Sequence, residues 1–251
     1  MLWCAIVDSA HIAEELGHLT QLRIITVLLK LDKEAGCDEG ICKALVESLG
    51  KLQNIRHLAI SSQGGVMNLE GSLESLGNLS YLRIGQTSSL PTWIKPGSLL
   101  LLSLLDITVV QVRREDIQVL GMLQALRILE VSVSGNNRQV LGRFMVGPDA
   151  FPCARDCRFY GFLMVPSMFP RGAMPRLEQF SFCIRPLDFF QGEFTTDDLG
   201  LDHLPSLQSV SFRLYLGKEK IDEEMEMKVE EKLRQEADDH PNHPSVKNYF
   251  L

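Results

Sequence analysis

The sequence predicts an α/β solenoid: about eight irregular repeats stacked into a curved horseshoe, with a parallel sheet on the concave side and a capping helix at the C-terminal end. Three observations carry that prediction. The stretch "ESLGKLQNIRHLAI" (47–60) returns as "ESLGNLSYLRI" (74–84). An apolar triplet spaced L-x-x-L-x-L can be laid down eight times along the chain. The first positions of successive triplets are 20 to 33 residues apart, a recurrence that suits one structural unit stacked on copies of itself.

The triplets fall at Leu22/Ile25/Val27, Ile55/Leu58/Ile60, Leu79/Leu82/Ile84, Leu102/Leu105/Ile107, Leu126/Leu129/Val131, Cys157/Tyr160/Phe162, Leu177/Phe180/Phe182 and Leu207/Val210/Phe212. This is the leucine-rich-repeat range, with insertions. The last four residues of each frame alternate inward and outward as a short strand requires. Each unit then has an apolar face that only a neighbour can bury. Another apolar residue three places upstream (Leu19, Leu52, Leu76, Leu99, Leu123, Met174 or Leu204) fits the returning segment on the convex side, with Ala154 as the poorest match. Aligning the third unit on Leu-Gly instead would shift it to Leu82/Gly85/Thr87 and place polar or empty positions where leucines belong.

The organisation follows as an N-terminal segment (1–15), a repeat array (16–216) and a C-terminal helix and tail (217–251). Residues 33–50 begin as an acidic, Gly-broken loop and end amphipathic, with Ile41, Leu45 and Leu49 at helical spacing. Residues 134–153 are rich in turn formers, and Pro166, Pro170 and Pro175 exclude helix after the sixth unit. A helix is expected from about Glu219 to Ala237, where Ile221, Met225, Val229, Leu233 and Ala237 recur every four residues and Pro241 and Pro244 stop it. Its expected role is to cover the open end of the array, with a partner-binding helix as the alternative.

Composition excludes several classes. The 251 residues are 45% hydrophobic, with 25 basic against 32 acidic side chains, a balance that argues against a nucleic-acid surface. No run reaches the ~18 apolar residues of a membrane span and the start lacks a leader pattern, so a cytoplasmic protein is expected. Cys153 and Cys157 have no second ligand pair at zinc-site spacing, and His240 and His243 in "HPNHP" read as a solvated helix terminator rather than metal ligands. Phosphate-loop, nucleophile-elbow and H-E-x-x-H motifs are missing, which points away from an enzyme and from any cofactor.

Function is therefore expected on the strand positions that face outward. Tyr81, Leu104, Ile128 and Phe159 form an apolar row beside Arg83, Asp106 and Glu130, and these seven residues are the candidate partner-binding site. Apolar and aromatic anchors supply affinity while flanking charges set specificity, the mixture of a protein-recognition surface. The same side chains could instead pack against one another or under an inserted loop.

The units "LGHLTQLRII", "LGKLQNIRHLAI", "LGNLSYLRI" and "LGMLQALRILEV", with "LPTWI" after the third strand, "AMPRLEQFSF" and the ending "EADDHPNHP", resemble the C-terminal repeat region of plant, especially grass, nucleotide-binding leucine-rich-repeat disease-resistance proteins. That family's N-terminal coiled coil and nucleotide-binding switch have no counterpart in this sequence. The resemblance implies a sensor module of innate immunity, whose partner is a pathogen effector, a guarded host protein or a nucleotide-binding receptor domain. An intracellular adaptor or substrate-recruiting scaffold shares the same fold, as would a nonfunctional truncated remnant. The place at which many repeats carry a ladder asparagine is irregular here (Lys30, Gln63, Thr87, Val110, Ser134, Val165, Arg185, Tyr215), so strand-end backbone groups should be bonded less uniformly.

Overall fold

The computed structural model describes residues 2–31, 39–73, 76–134, 146–163, 169–184, 200–214 and 223–249. They belong to two compact units, Met1–Ser134 and Gly135–Leu251. Unit 1 runs β1 (Leu2–Val7), α1 (Ala10–Leu16), β2 (Ile24–Lys30), α2 (Glu39–Leu49), β3 (His57–Gln63), β4 (Tyr81–Thr87), β5 (Leu104–Val109), α3 (Arg114–Gly121) and β6 (Ile128–Val133). Each strand pairs in parallel with the next in sequence. That connectivity is the strand-and-return geometry of a leucine-rich-repeat solenoid.

The apolar frames set the register. Leu58, Leu82, Leu105 and Leu129 stand in one cross-strand row, and Ile60, Ile84, Ile107 and Val131 in a second, so the third unit follows Leu79/Leu82/Ile84. All eight are buried. In three of these frames the first residue closes a tight turn onto the apolar residue three places upstream: Leu79 N–H donates to Leu76 O at 2.9 Å, and Leu102 N–H to Leu99 O and Leu126 N–H to Leu123 O at 3.3 Å. Leu19 makes the equivalent turn with Leu22, yet it is exposed, unlike its buried counterparts Leu52, Leu76, Leu99 and Leu123.

Bonding between repeats concentrates where each strand begins. The carbonyl of Arg23 accepts from both Arg56 N–H and His57 N–H, that of Arg56 from Ser80 and Tyr81, that of Ser80 from Ser103 and Leu104, and that of Ser103 from Arg127 and Ile128. Side chains extend this ladder on the turns, where Asn54 Nδ2 donates to Thr20 O and Asn78 Nδ2 to Gln53 O, both at 3.0 Å. At the ladder position itself, Thr87 Oγ1 donates to Met67 O at 2.9 Å and Ser134 Oγ to Val109 O at 3.3 Å, so two non-asparagine side chains there serve backbone carbonyls.

Among the described residues, helices occur on the returning side in some repeats. Helix α2 buries Ile41, Leu45 and Leu49 as their spacing predicts, while the acidic loop before it (32–38) lies outside the described residues. Helix α1, capped by Ser9 Oγ accepting from Ile12 N–H, and strand β1 add strand-and-helix structure over 2–16, a stretch that lacks the L-x-x-L-x-L signature. In "LPTWI", Pro91, Trp93 and Ile94 are buried, and Trp93 Nε1 donates to Leu69 O at 2.9 Å. The motif is a packing device on the returning side.

Unit 2 contains β7 (Asp156–Leu163), β8 (Gln179–Ile184), β9 (Ser209–Leu214), α4 (Glu223–Asp239) and β10 (Ser245–Asn248), the four strands again parallel and in sequence order. Its first strand corrects the sixth frame. Cys157 pairs with Phe180 and Asp156 with Gln179, so the frame is Ala154/Cys157/Phe159, three residues earlier than Cys157/Tyr160/Phe162. Ala154 N–H bonds Phe151 O as Leu177 N–H bonds Met174 O, which puts Ala154 in the leucine place. Phe159 is consequently buried and Tyr160 points outward. The physical reason is aromatic substitution: the Phe159 ring meets Phe180 edge-on at 6.0 Å, and Phe180 also contacts Phe169 and Phe182. Beyond Phe159 the ladder slips between Arg158 and Leu163, where Gly161 takes φ +78, a conformation that glycine adopts readily.

Helix α4 buries Val229, Leu233 and Ala237 and carries Lys228–Glu224 and Arg234–Glu230 pairs, both 2.6 Å, on its solvated side. Ile221 and the Met225 side chain lie outside the described residues, as do 135–145 and Pro166. The "HPNHP" segment is not a solvated terminator throughout. His243 N–H bonds His240 O and Ser245 N–H bonds Gln208 O, repeating the turn and strand entry of "LPSLQS", with buried His240 in the place of Leu204. His240 Nδ1 accepts from Asn242 N–H, so the ring proton sits on Nε2 and points to Leu204 O at 3.2 Å. Asn242 Nδ2 donates to Pro205 O, the counterpart of Asn78 in unit 1.

Burial pushes the Cys157 thiol well up from its ordinary range, with Asp156 adding to the effect. Because the thiolate is the reactive form, native-state alkylation at neutral pH should label exposed Cys4 readily and leave Cys157 unlabelled until the chain unfolds. Mass spectrometry of briefly treated protein reads this out, and rapid Cys157 labelling would contradict its inward placement.

Candidate protein-recognition surface

The outward positions of unit 1 form two parallel rows fixed by the sheet register. One row runs Ile24, His57, Tyr81, Leu104, Ile128, and the other Thr26, Ala59, Arg83, Asp106, Glu130. Six of the seven candidate residues therefore lie on one sheet face, on three consecutive strands. Phe159 does not join them. It is a core residue of unit 2, for the frame reason given above.

Within this face the side chains are partly ordered by one another. Arg83 Nε lies 2.9 Å from Asp106 Oδ2, with the arginine side chain 62% exposed and the aspartate 23%. A pair this open contributes ~0–1 kcal/mol to stability, and its effect is to hold a charge pair of fixed geometry on the surface. The His57 and Tyr81 rings approach to 5.6 Å at 31°, extending the apolar row by one strand. Ile128 is exposed, and Tyr81 and Leu104 are half-buried. Strand β4 bulges between Ile84 and Gln86; a side chain at Gly85 would meet the Ser61 backbone at 3.3 Å. Past the bulge Gln86 Nε2 reaches Ser134 Oγ at 3.0 Å.

His57 was available to sequence reasoning as an outward position, but its neighbour Tyr81 is set by register rather than by spacing along the chain. In unit 2 the outward face differs: Arg158 grips Asp156 through two hydrogen bonds, and Tyr160, Ser181, Ser211 and Arg213 line a separate cavity. The misplaced sixth frame concealed Tyr160.

A family model described as a leucine-rich repeat region matches residues 1–246, and the chain belongs to that family. The search of curated proteins gave no match. Leucine-rich repeat domains are typically non-catalytic protein-interaction modules, in keeping with a surface built of anchors and charges. No helix among the described residues is long and apolar enough to cross a membrane.

Proposed function

We propose that the chain is a non-catalytic recognition module of plant innate immunity, the sensing repeat region of a cytoplasmic disease-resistance receptor. The observation that supports it best is the continuous outward surface of Tyr81, Leu104 and Ile128 flanked by Arg83, Asp106 and Glu130. The family membership supports an interaction module, and the resemblance noted in the sequence suggests its biological setting. Its partner is a protein: a pathogen effector, a guarded host protein or a nucleotide-binding receptor domain. An adaptor that recruits substrates would use the same face, and partner identity separates the two.

The apolar anchors can be tested without destroying the core, because their strand neighbours Leu82, Leu105 and Leu129 carry the burial. Replacing Tyr81, Leu104 and Ile128 together by serine should weaken partner binding at least ~30-fold, the equivalent of about 2 kcal/mol for loss of one hot spot, while the circular dichroism spectrum is retained. Partners captured from infected and uninfected tissue and then titrated as purified proteins provide the assay. Unchanged affinity for every partner would sink the proposal.

A further inference from the structure

We infer that unit 2 carries a subsite for the oxyanion of a partner protein's acidic side chain, centred on Arg213. The cavity has a volume of about 140 Å³ and is lined by Tyr160, Ser181, Ser211, Arg213 and Tyr249, with buried phenylalanines at its edge. The sheet register creates it. Ser181 and Ser211 are cross-strand partners on β8 and β9, and Arg213 lies two residues beyond Ser211 on the same face. Tyr249 is brought in at the end of β10, its N–H bonding Phe212 O.

Two features point to an anionic group. The Arg213 guanidinium carbon sits 5.5 Å above the Tyr160 ring, an arrangement that orients the fork and shields one side from water. Arg213 Nε is buried and has no hydrogen-bond partner among the described residues. A desolvated guanidinium N–H is costly to leave unpaired, and a carboxylate or phosphoryl oxygen satisfies it best. Exposed Lys247, in register with Ser211, adds positive charge to the same face.

Size decides between a side chain and a free cofactor. Drug-sized ligands and cofactors occupy cavities of ~300–1,000 Å³, whereas this one accommodates a terminal group with its hydroxyl donors around it. A carboxylate or a phosphoryl group presented by a bound protein meets that limit. The guanidinium supplies charge-assisted bonds, the serine and tyrosine hydroxyls complete the shell, and the remainder of the affinity comes from contacts elsewhere. This inference concerns unit 2 alone and does not depend on the anchors of unit 1.

The test titrates the full chain with inorganic phosphate and, separately, acetate, at constant ionic strength, following backbone amide resonances of Ser181, Ser211 and Arg213. Saturable shifts at these amides are expected for at least one anion, and the two arms distinguish a phosphoryl from a carboxylate ligand. Arg213→Gln should weaken binding ~10-fold or more, while Arg83→Gln in unit 1 should leave it unchanged. Should Arg213→Gln fail to fold, the Ser181→Ala/Tyr249→Phe double variant decides, with a several-fold loss expected. Absence of saturation in the wild-type chain, or equal affinity in wild type and variants, would mean an adventitious ion only and would overturn the inference.

Discussion

Phe180→Ala should destabilise unit 2 by about 3–5 kcal/mol, the range for removing a fully buried aromatic ring. Phe180 is wholly buried and touches three other rings: Phe159 and Phe169 edge-on at 6.0 and 5.2 Å, and Phe182 stacked at 5.1 Å. Truncation therefore removes transfer energy and pairwise ring contacts together, and leaves a void whose walls belong to β7, β8 and their connection. In a domain whose entire stability is ~5–15 kcal/mol, such a loss is large. Because repeats are stabilised mainly by their neighbours, the effect should be local. Hydrogen exchange should accelerate in β7–β9 before it changes in β2–β5. Phe159→Ala provides a companion measurement: an exposed phenylalanine would cost less than about 0.5 kcal/mol, whereas the buried ring observed here should cost several times more.

Trp93→Ala should produce a comparable loss in unit 1, again about 3–5 kcal/mol from the ring, with a further ~1–3 kcal/mol from the carbonyl it abandons. The indole is 2% exposed and its Nε1–H is bonded to Leu69 O at 2.9 Å. Trp93→Phe separates the two contributions, since it restores most of the volume and none of the hydrogen bond. Chemical denaturation followed by circular dichroism gives the midpoints. A Trp93→Ala midpoint within error of wild type would show that "LPTWI" does not pack as described.

The same residues explain what was legible in the sequence. In unit 1 the strands could be read because each inward pair is aliphatic and repeats at nearly constant spacing, as Leu82/Ile84 and Leu105/Ile107 do. The sixth frame failed because Ala154 is too small to register as a repeat leucine, while Tyr160 and Phe162 offered a larger apolar pair three residues on. Alternation alone cannot separate two apolar triplets shifted by three; the turn bond from Ala154 to Phe151 does. Strands β1 and β10 escaped for a related reason. Strand β1 lacks the leucine triplet, and the turn before β10 uses His240 and His243 where leucines stand in the preceding repeat.

The candidate surface was legible as a set of outward positions but not as a constellation. Six of its residues follow directly from the alternation of β4, β5 and β6. The Arg83–Asp106 pair and the His57–Tyr81 contact depend on cross-strand register, which spacing along the chain suggests only when neighbouring frames are both right. Phe159 was assigned to the surface by the same rule applied to a displaced frame.

The central claim, that the outward face of unit 1 is where a protein partner docks, is tested most directly by site-specific photo-cross-linking. A photoreactive amino acid would be placed at Tyr81, Leu104 or Ile128 and, as a control, at Met122 next to helix α3, which is 52% exposed and so more accessible than Ile128. The account predicts that a partner protein is covalently captured from the three strand positions and not from Met122, and that excess unlabelled wild-type chain suppresses the capture. Equal capture from Met122, or capture from Met122 alone, would contradict it.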